Sequence, residues 1–304
     1  MKKRYLKILL ILGLIIFGLL SVFSFSFTAG QGETAWETFS QEASDYLKMA
    51  IDKMEEAIKT YQGVNYPNKE LWVEAIDYAE KAIQADPDFI EAHYRLAQIY
   101  QHTNWYYREA REWKRYIELI QKREVISPEA EQKLAFAYYR LGYADYQREG
   151  YDDCISYLQK AVEIDPKMTE AHYWLGRVFY EIGRLNDSFS SWQKVLEIDS
   201  YYPKAQYFYT KVENSIKYGK EAYSHYEAGY NLYEQRLFEE ALYEYRQAVR
   251  YNSDFSSAYY WLGRIYYERG NYQESVSNWK EVLRLEPENT KAEYWLRQAE
   301  KQGE

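Results

Sequence analysis

The chain has 304 residues, too many for one small core and few for three independent domains, and its six prolines and fourteen glycines against 36 tyrosines exclude a disordered chain. Its single cysteine excludes an internal disulfide and every multi-cysteine metal site. Residues 1–30 hold four basic and no acidic groups, so the remainder carries 34 Lys+Arg against 47 Asp+Glu, a net charge of −13 that makes nucleic acid a poor partner.

The first element is apolar. Lys2, Lys3, Arg4 and Lys7 precede the uncharged run Ile8–Phe27, which reads as an export segment with the basic cluster held in the cytoplasm and Gln31 onward placed outside it. Its length suits a spanning anchor, while the small residues Ser24 and Ser26, or Thr28 and Gly30, would serve a signal peptidase; both readings stay open. From about Trp36 to Tyr61 the pattern predicts a long helix, paired with a second over Leu71–Ala85 that closes at Asp86-Pro87. Gln62–Glu70, containing Pro67, reads as a long turn between them. Ile90–Arg123 follows with Ala92, Tyr94, Leu96, Tyr100, Tyr106 and Ala110 at helix-pair spacing and one extra residue in the turn.

Downstream the chain repeats itself. Tyr173-Trp174-Leu175-Gly176-Arg177 returns 87 residues later as Tyr260-Trp261-Leu262-Gly263-Arg264, and at the same offset Gly142 meets Gly229, Tyr146 meets Tyr233, Gly183 meets Gly270, Trp192 meets Trp279 and Ala205 meets Ala292. Within each block a period of 34 residues appears: Ala135–Met168 and Thr169–Tyr202 in the first, Ala222–Phe255 and Ser256–Asn289 in the second. Leu262, Gly263 and Tyr266 fall on one stripe of a helix, and Ser275, Trp279 and Val282 on one stripe of the next. The small residues Gly263 and Ser275 let the two stripes approach, and Gly270 allows the chain to reverse between them. Proline in a helix interior costs about 3 kcal/mol, and all six prolines fall between the helices so assigned, Pro128 following the capping Ser127 and Pro203 opening a helix.

Ser256–Asn289 combines Tyr259, Leu262, Gly263, Tyr266, Gly270, Tyr272, Ser275, Trp279, Val282 and Pro287, and in this it resembles the tetratricopeptide repeat. The resemblance covers roughly residues 45–304 and implies an all-α fold: an α-solenoid of about six helix-turn-helix repeats, with at least thirteen helices after residue 31. The repeats fall at about 45–89, 90–123, 135–168, 169–202, 222–255 and 256–289. Each 87-residue block has room for one more helix, supplied by 203–217 and 290–302 as covering helices. An odd helix inside an alternating series would turn the next repeat inside out, so two modules, 31–221 and 222–304, are expected to meet near Gly219.

A search for chemistry returns little. His93, His172 and His225 occupy one position of three repeats where Tyr138 or Tyr259 stands elsewhere, which reads as a packing position, and His102 sits alone near a turn. Cys154 takes the small-residue position filled elsewhere by Ser188, Ala241 and Ser275 and reads as a buried, inert thiol. No phosphate loop, nucleophile elbow, helical zinc motif or calcium loop is present in the sequence, so no metal, cofactor or catalytic residue is assigned and an enzyme is not expected.

The resemblance instead implies a ligand surface along the concave face formed by the first helix of each repeat. It places exposed positions at Phe136, Tyr139, Tyr143 and Tyr146; at Tyr173, Arg177 and Tyr180; at Tyr223, Tyr226, Tyr230 and Tyr233; and at Tyr260, Arg264 and Tyr267. The clamp by which some relatives hold a C-terminal carboxylate needs lysine and asparagine where this chain has Tyr139, Tyr143, Tyr226 and Tyr230, which argues against that mode. The expectation is an extracytoplasmic scaffold whose tyrosine-rich groove takes a protein or peptide partner, tethered to a membrane if residues 1–30 are retained. The alternative is a glycan-binding module of an exported uptake or envelope system, since flat aromatic faces beside arginine and carboxylates also suit sugar rings.

Overall fold

A computed structural model of the chain describes Thr38, residues 40–61 and residues 68–303. The apolar run, its basic flank, the choice between cleavage and anchoring, and Pro67 with its neighbours in the long turn lie outside the described residues. Among the described residues no helix is long and apolar enough to cross a membrane.

Fourteen helices and no strand are found among the described residues. They pair in chain order: α1 (Gln41–Thr60) with α2 (Glu70–Ala85), α3 (Ile90–His102) with α4 (Tyr106–Ile120), and α5 (Pro128–Gln147) with α6 (Tyr151–Ile164). Then come α7 (Thr169–Glu181) with α8 (Leu185–Ile198), a single α9 (Ala205–Tyr218), α10 (Lys220–Glu234) with α11 (Phe238–Tyr251), α12 (Ser256–Glu268) with α13 (Tyr272–Leu285), and a single α14 (Thr290–Gly303). Each pair packs on the next, and α9 and α14 each cover the second helix of the pair before them, which is the all-α solenoid arrangement that the repeat pattern implies.

The pairs close because a small residue on the first helix faces a large one on the second. A methyl group at Gly176 would stand 2.7 Å from Trp192 Cε2, and one at Gly263 would stand 2.8 Å from Trp279 Cε2. The hydroxyls of Ser188 and Ser275 donate to the carbonyls of those glycines at 2.7 and 2.8 Å, fixing the register of each pair. Both tryptophans are fully buried, and an aromatic ring taken wholly from water contributes about 1.5–3 kcal/mol. The covering helices repeat the same logic, since the core of Trp192, Val195, Ala205 and Val212 recurs at the 87-residue offset as Trp279, Val282, Ala292 and Ala299. In the turns, Gly183 and Gly270 take φ of +79° and +76°, whereas the other two repeats of the blocks place Glu149 and Arg236 in that left-handed region at +60° and +61°.

Three boundaries differ from the sequence expectation, and a fourth agrees with it. Helix α1 starts at Gln41, not near Trp36, because the Ser40 hydroxyl accepts the Ala43 N–H and caps it. Helix α5 opens at Pro128 behind the capping Ser127, as the sequence led one to expect, and so extends seven residues ahead of the repeat at 135. Pro203 does not open a helix: it lies in a turn, Lys204 takes φ +64°, and α9 begins at Ala205. The turn after α3 holds no extra residue, since α4 begins 16 residues after the start of α3 just as α8 does after α7. That register puts Glu109, not Ala110, at the small-residue position of Ser188 and Ser275.

Glu109 is buried there at 2 % exposure. Its carboxylate accepts the Trp113 indole N–H at 3.0 Å, as the Ser275 hydroxyl accepts that of Trp279, and it pairs with Arg140 of α5 at 2.7 Å. A carboxylate in a core would otherwise be prohibitively costly, and the arginine supplied by the next repeat makes it tolerable.

At Gly219 the chain turns with φ +92°. Helices α9 and α10 nonetheless pack together across it, joined by Lys211–Glu227 at 2.5 Å and by a hydrogen bond from the Tyr207 hydroxyl to Glu227 at 3.1 Å. The Lys220 ammonium also reaches back to the carbonyls of Tyr180 at 2.7 Å and Glu181 at 3.0 Å, over the end of α7.

Candidate functional site

The first helices of the repeats carry their tyrosines at spacings of three and four residues, which places them on one face. In the first block Tyr143 and Tyr146 of α5 meet Trp174 of α7 with ring centroids 4.9 and 4.8 Å apart, both inclined rather than stacked. In the second block Tyr230 and Tyr233 of α10 meet Trp261 of α12 at 5.6 and 4.7 Å. The same three-ring cluster is thus built twice from residues 87 apart.

Of the fourteen residues expected to be exposed on this face, only Tyr230 is, at 43 %; the other thirteen are half-buried. The cause is aromatic packing between helices. Phe136 sets its ring against Trp113 of the preceding pair, and Tyr139 lies beside Phe136. Tyr223 and Tyr226 stack on each other and on Phe255, and the Tyr226 hydroxyl accepts the Trp261 N–H at 3.3 Å. Tyr173 packs on Trp192 and on Phe208 of α9, and the Tyr180 hydroxyl lies 3.4 Å from the Ser215 hydroxyl of the same helix. Tyr260 packs on Trp279, and Tyr267 on Trp295 of α14. The covering helices therefore occupy Tyr173, Tyr180 and Tyr267, Tyr260 is held by Trp279 of its own pair, and the outer tyrosines Tyr143, Tyr146, Tyr230 and Tyr233 are the ones left around the two tryptophans.

Trp174 and Trp261 complete both clusters and were absent from the residues assigned to the face. They stand inside the Tyr-Trp-Leu-Gly-Arg motif, one residue beyond Tyr173 and Tyr260, so the sequence carried the signal. Burial pushes the hydroxyls of Tyr143 and Tyr146 above the ordinary phenol value, as it does those of Tyr226 and Tyr233, which keeps them neutral hydrogen-bonding groups. A recess of about 220 Å³ lies beside the second cluster, lined by Tyr226, Tyr260 and Trp261 with Ser256, Ser257, Glu286 and Asn289.

The two arginines of the face differ. Arg177 donates to the hydroxyls of Tyr173 and Tyr146, both at 3.3 Å, with its guanidinium 4.8 Å from the Phe208 ring. Arg264 donates to Glu268 at 2.9 Å, and Glu268 also accepts from the Tyr233 hydroxyl at 3.1 Å.

The histidines take packing roles. His93 is buried with Nδ1 2.7 Å from Glu112 and Nε2 3.1 Å from the Pro87 carbonyl. Burial opposes ionisation of Glu112, but the hydrogen bonds from His93 and Arg111 outweigh it and hold the carboxyl below its ordinary range. His225 repeats the arrangement with Glu244 at 2.6 Å, His172 faces the Pro166 carbonyl at 3.0 Å, and His102 stacks on Trp72. Cys154 is buried, and burial raises its thiol to about 12, so it is no thiolate at neutral pH. No group of three or more metal-ligating side chains is found among the described residues. A second recess, about 460 Å³, opens by His93, Glu112 and Arg115, apart from the tyrosine face.

Comparison with known proteins follows the repeats. Residues 226–279 match a family model described as a tetratricopeptide repeat, and residues 142–183 match one described as a TPR repeat. No curated protein matches the chain. Among solved structures, the chain is similar to the protein MamA at 18 % identity and a TM-score of 0.44, over 71 % of this chain and 94 % of that one. It is also similar to pilF of Pseudomonas aeruginosa at 14 % identity and 0.41, over 84 % and 97 % of the two chains. A third, YrrB, described as a TPR protein with an unusual peptide-binding site, matches at 16 % identity and 0.37, over 71 % of this chain and 96 % of that one.

Proposed function

Because the chain belongs to the tetratricopeptide-repeat family, we propose that it is a binding scaffold and not an enzyme, holding an extended segment of a protein partner along the face of its first helices. The observation that carries this reading is the doubled cluster, Tyr143–Trp174–Tyr146 and Tyr230–Trp261–Tyr233, with Tyr230 left exposed. Tyrosine and tryptophan offer apolar area and polar edges at small entropic cost, the combination that anchors peptide segments. Their packing also favours a peptide over a sugar. Trp174 is met by Tyr143, Tyr146 and Tyr173, and Trp261 lies parallel to Tyr245 at 6.1 Å, so each indole already spends part of its ring surface on neighbouring aromatics and offers less of it for a sugar to stack on. The reading extends to location: the basic cluster and the uncharged run Ile8–Phe27 would place residues from Gln31 outward in the cell envelope, where the partner would also reside.

Two measurements test this. A reporter active only in the cytoplasm, fused after residue 60, is expected to be silent, and activity would reverse the location. Replacing Tyr230 by Asn should weaken capture of partners from solubilised envelope about tenfold while hardly changing the melting temperature, since an exposed ring that anchors a ligand contributes about 1–2 kcal/mol to binding and little to stability. Tyr143→Asn should weaken capture as well but cost about 1 kcal/mol of stability, because its ring packs on Trp174. Unchanged capture by both variants would remove the tyrosine face from the function.

A further inference from the structure

The described residues include five half-buried arginines: Arg95, Arg115, Arg140, Arg177 and Arg264. Four pair with a carboxylate, Arg95 with Glu91, Arg115 with Asp88 and Glu118, Arg140 with Glu109, and Arg264 with Glu268. Arg177 has no carboxylate partner among them. Its hydrogen bonds go to two neutral phenols at 3.3 Å, and Phe208 and Trp174 lie 4.8 and 5.9 Å from its guanidinium. A guanidinium partly withdrawn from water among aromatic rings loses hydration that two neutral acceptors replace poorly, so an anion from outside would gain a full charge-assisted pair there.

The duplicate sharpens the contrast. Arg264 stands at the equivalent position and is neutralised by Glu268, whereas Glu181, the counterpart of Glu268, makes no ion pair with Arg177. Beside Arg177, Lys211 and Lys220 lie 5.5 and 4.8 Å from the Tyr180 ring, and the Lys220 ammonium rests on carbonyl oxygens without a carboxylate partner. The equivalent of Lys211 in the second block is the neutral Gln298. Lys211 is paired with Glu227 at 2.5 Å, so Arg177 and Lys220 are the cations on this side of the first block that lack a carboxylate partner.

We propose that Arg177 receives the side-chain carboxylate of an aspartate or glutamate in the bound segment, so that the first block reads acidic sequence and the second reads uncharged sequence. The assignment rests on the peptide-holding reading given above. A guanidinium–carboxylate pair at such a site should make the acidic segment about tenfold tighter than its amide counterpart, and that preference should weaken as salt rises.

The test uses the full chain and an acetylated, amidated positional-scanning hexapeptide library, which contains no free C-terminal carboxylate. The wild-type protein is expected to enrich Asp or Glu at one position, and a selected peptide should lose about tenfold in affinity when that residue becomes Gln. Arg177→Gln should abolish the preference, so that this variant binds the acidic and the Gln peptide with equal affinity, Arg177→Lys should retain part of it, and Arg264→Gln should leave it intact. Peptide capture by the wild type without any acidic preference, or an acidic preference that survives Arg177→Gln, overturns this assignment and leaves the peptide reading in place. Capture of no peptide by the wild type overturns both.

Discussion

The two 87-residue blocks share the core that joins their second repeat to its covering helix, and differ in the first repeat, where Gly142 faces Leu158 but Gly229 faces Tyr245. Gly176 over Trp192 and Gly263 over Trp279 are the same joint made twice, down to the serine hydroxyl on the glycine carbonyl. The first helix of each block, however, carries opposite charge at one equivalent position, Arg140 against Glu227. Each charge matches what lies upstream of it: Arg140 meets the buried Glu109 of α4, and Glu227 meets Lys211 of the covering helix α9. The interior of a repeat is thus set by steric fit, kept residue for residue at the Gly176 and Gly263 joints and refilled with Tyr245 for Leu158 in the first repeat, while the surface that joins a repeat to its neighbour has to be complementary to that neighbour.

The largest expected effect separates the two joints. Glu109→Ala would leave Arg140 charged and half-buried without a counterion and should cost about 3–5 kcal/mol in chemical denaturation. Glu109→Ser with Arg140→Leu, which restores the small residue of the other repeats and removes the stranded charge, should recover most of that loss. At the second joint both side chains are more exposed, about 20 %, so Glu227→Ala should cost only about 1 kcal/mol. Glu227→Arg should cost more, and Lys211→Glu should rescue it by rebuilding the polarity of the first block. The division into two modules at residue 220 is a proposal that this series also addresses: if Lys211 and Glu227 variants changed the unfolding of residues 135–202 as much as that of 222–289, the two blocks would act as one.

A smaller effect should be equal in both blocks. Gly176→Ala and Gly263→Ala each force a methyl group against a tryptophan held on all sides, and each should destabilise by about 1–3 kcal/mol. A difference between them above about 1 kcal/mol in the same denaturation experiment would show that the two cores are not equivalent. The smallest effect is a gain. Glu149 and Arg236 hold the left-handed turn that Gly183 and Gly270 hold elsewhere, so Glu149→Gly and Arg236→Gly should each stabilise by about 0.5 kcal/mol. Thermal melts that fall in both variants would mean that these side chains contribute more than their backbone strain costs.

The sequence by itself determined the class and the order of the fold. Repeated spacing of small and large residues names the facing stripes of each helix pair, and the 87-residue offset predicted that the covering helices would have matching cores, as Ala205 and Ala292 do. Spacing is enough there because a helix fixes which side chains share a face. It placed the tyrosine stripes for the same reason, and it missed their burial and their tryptophans, because a one-dimensional pattern does not tell which helix closes over a ring. Tertiary structure alone decided that α9 and α14 occupy Tyr173, Tyr180 and Tyr267, that Glu109 and not Ala110 fills the small-residue position, and that Arg177 lacks the carboxylate given to Arg264. Charge pairing and burial depend on distances between helices dozens of residues apart in the chain, and periodicity within a helix carries no record of those distances.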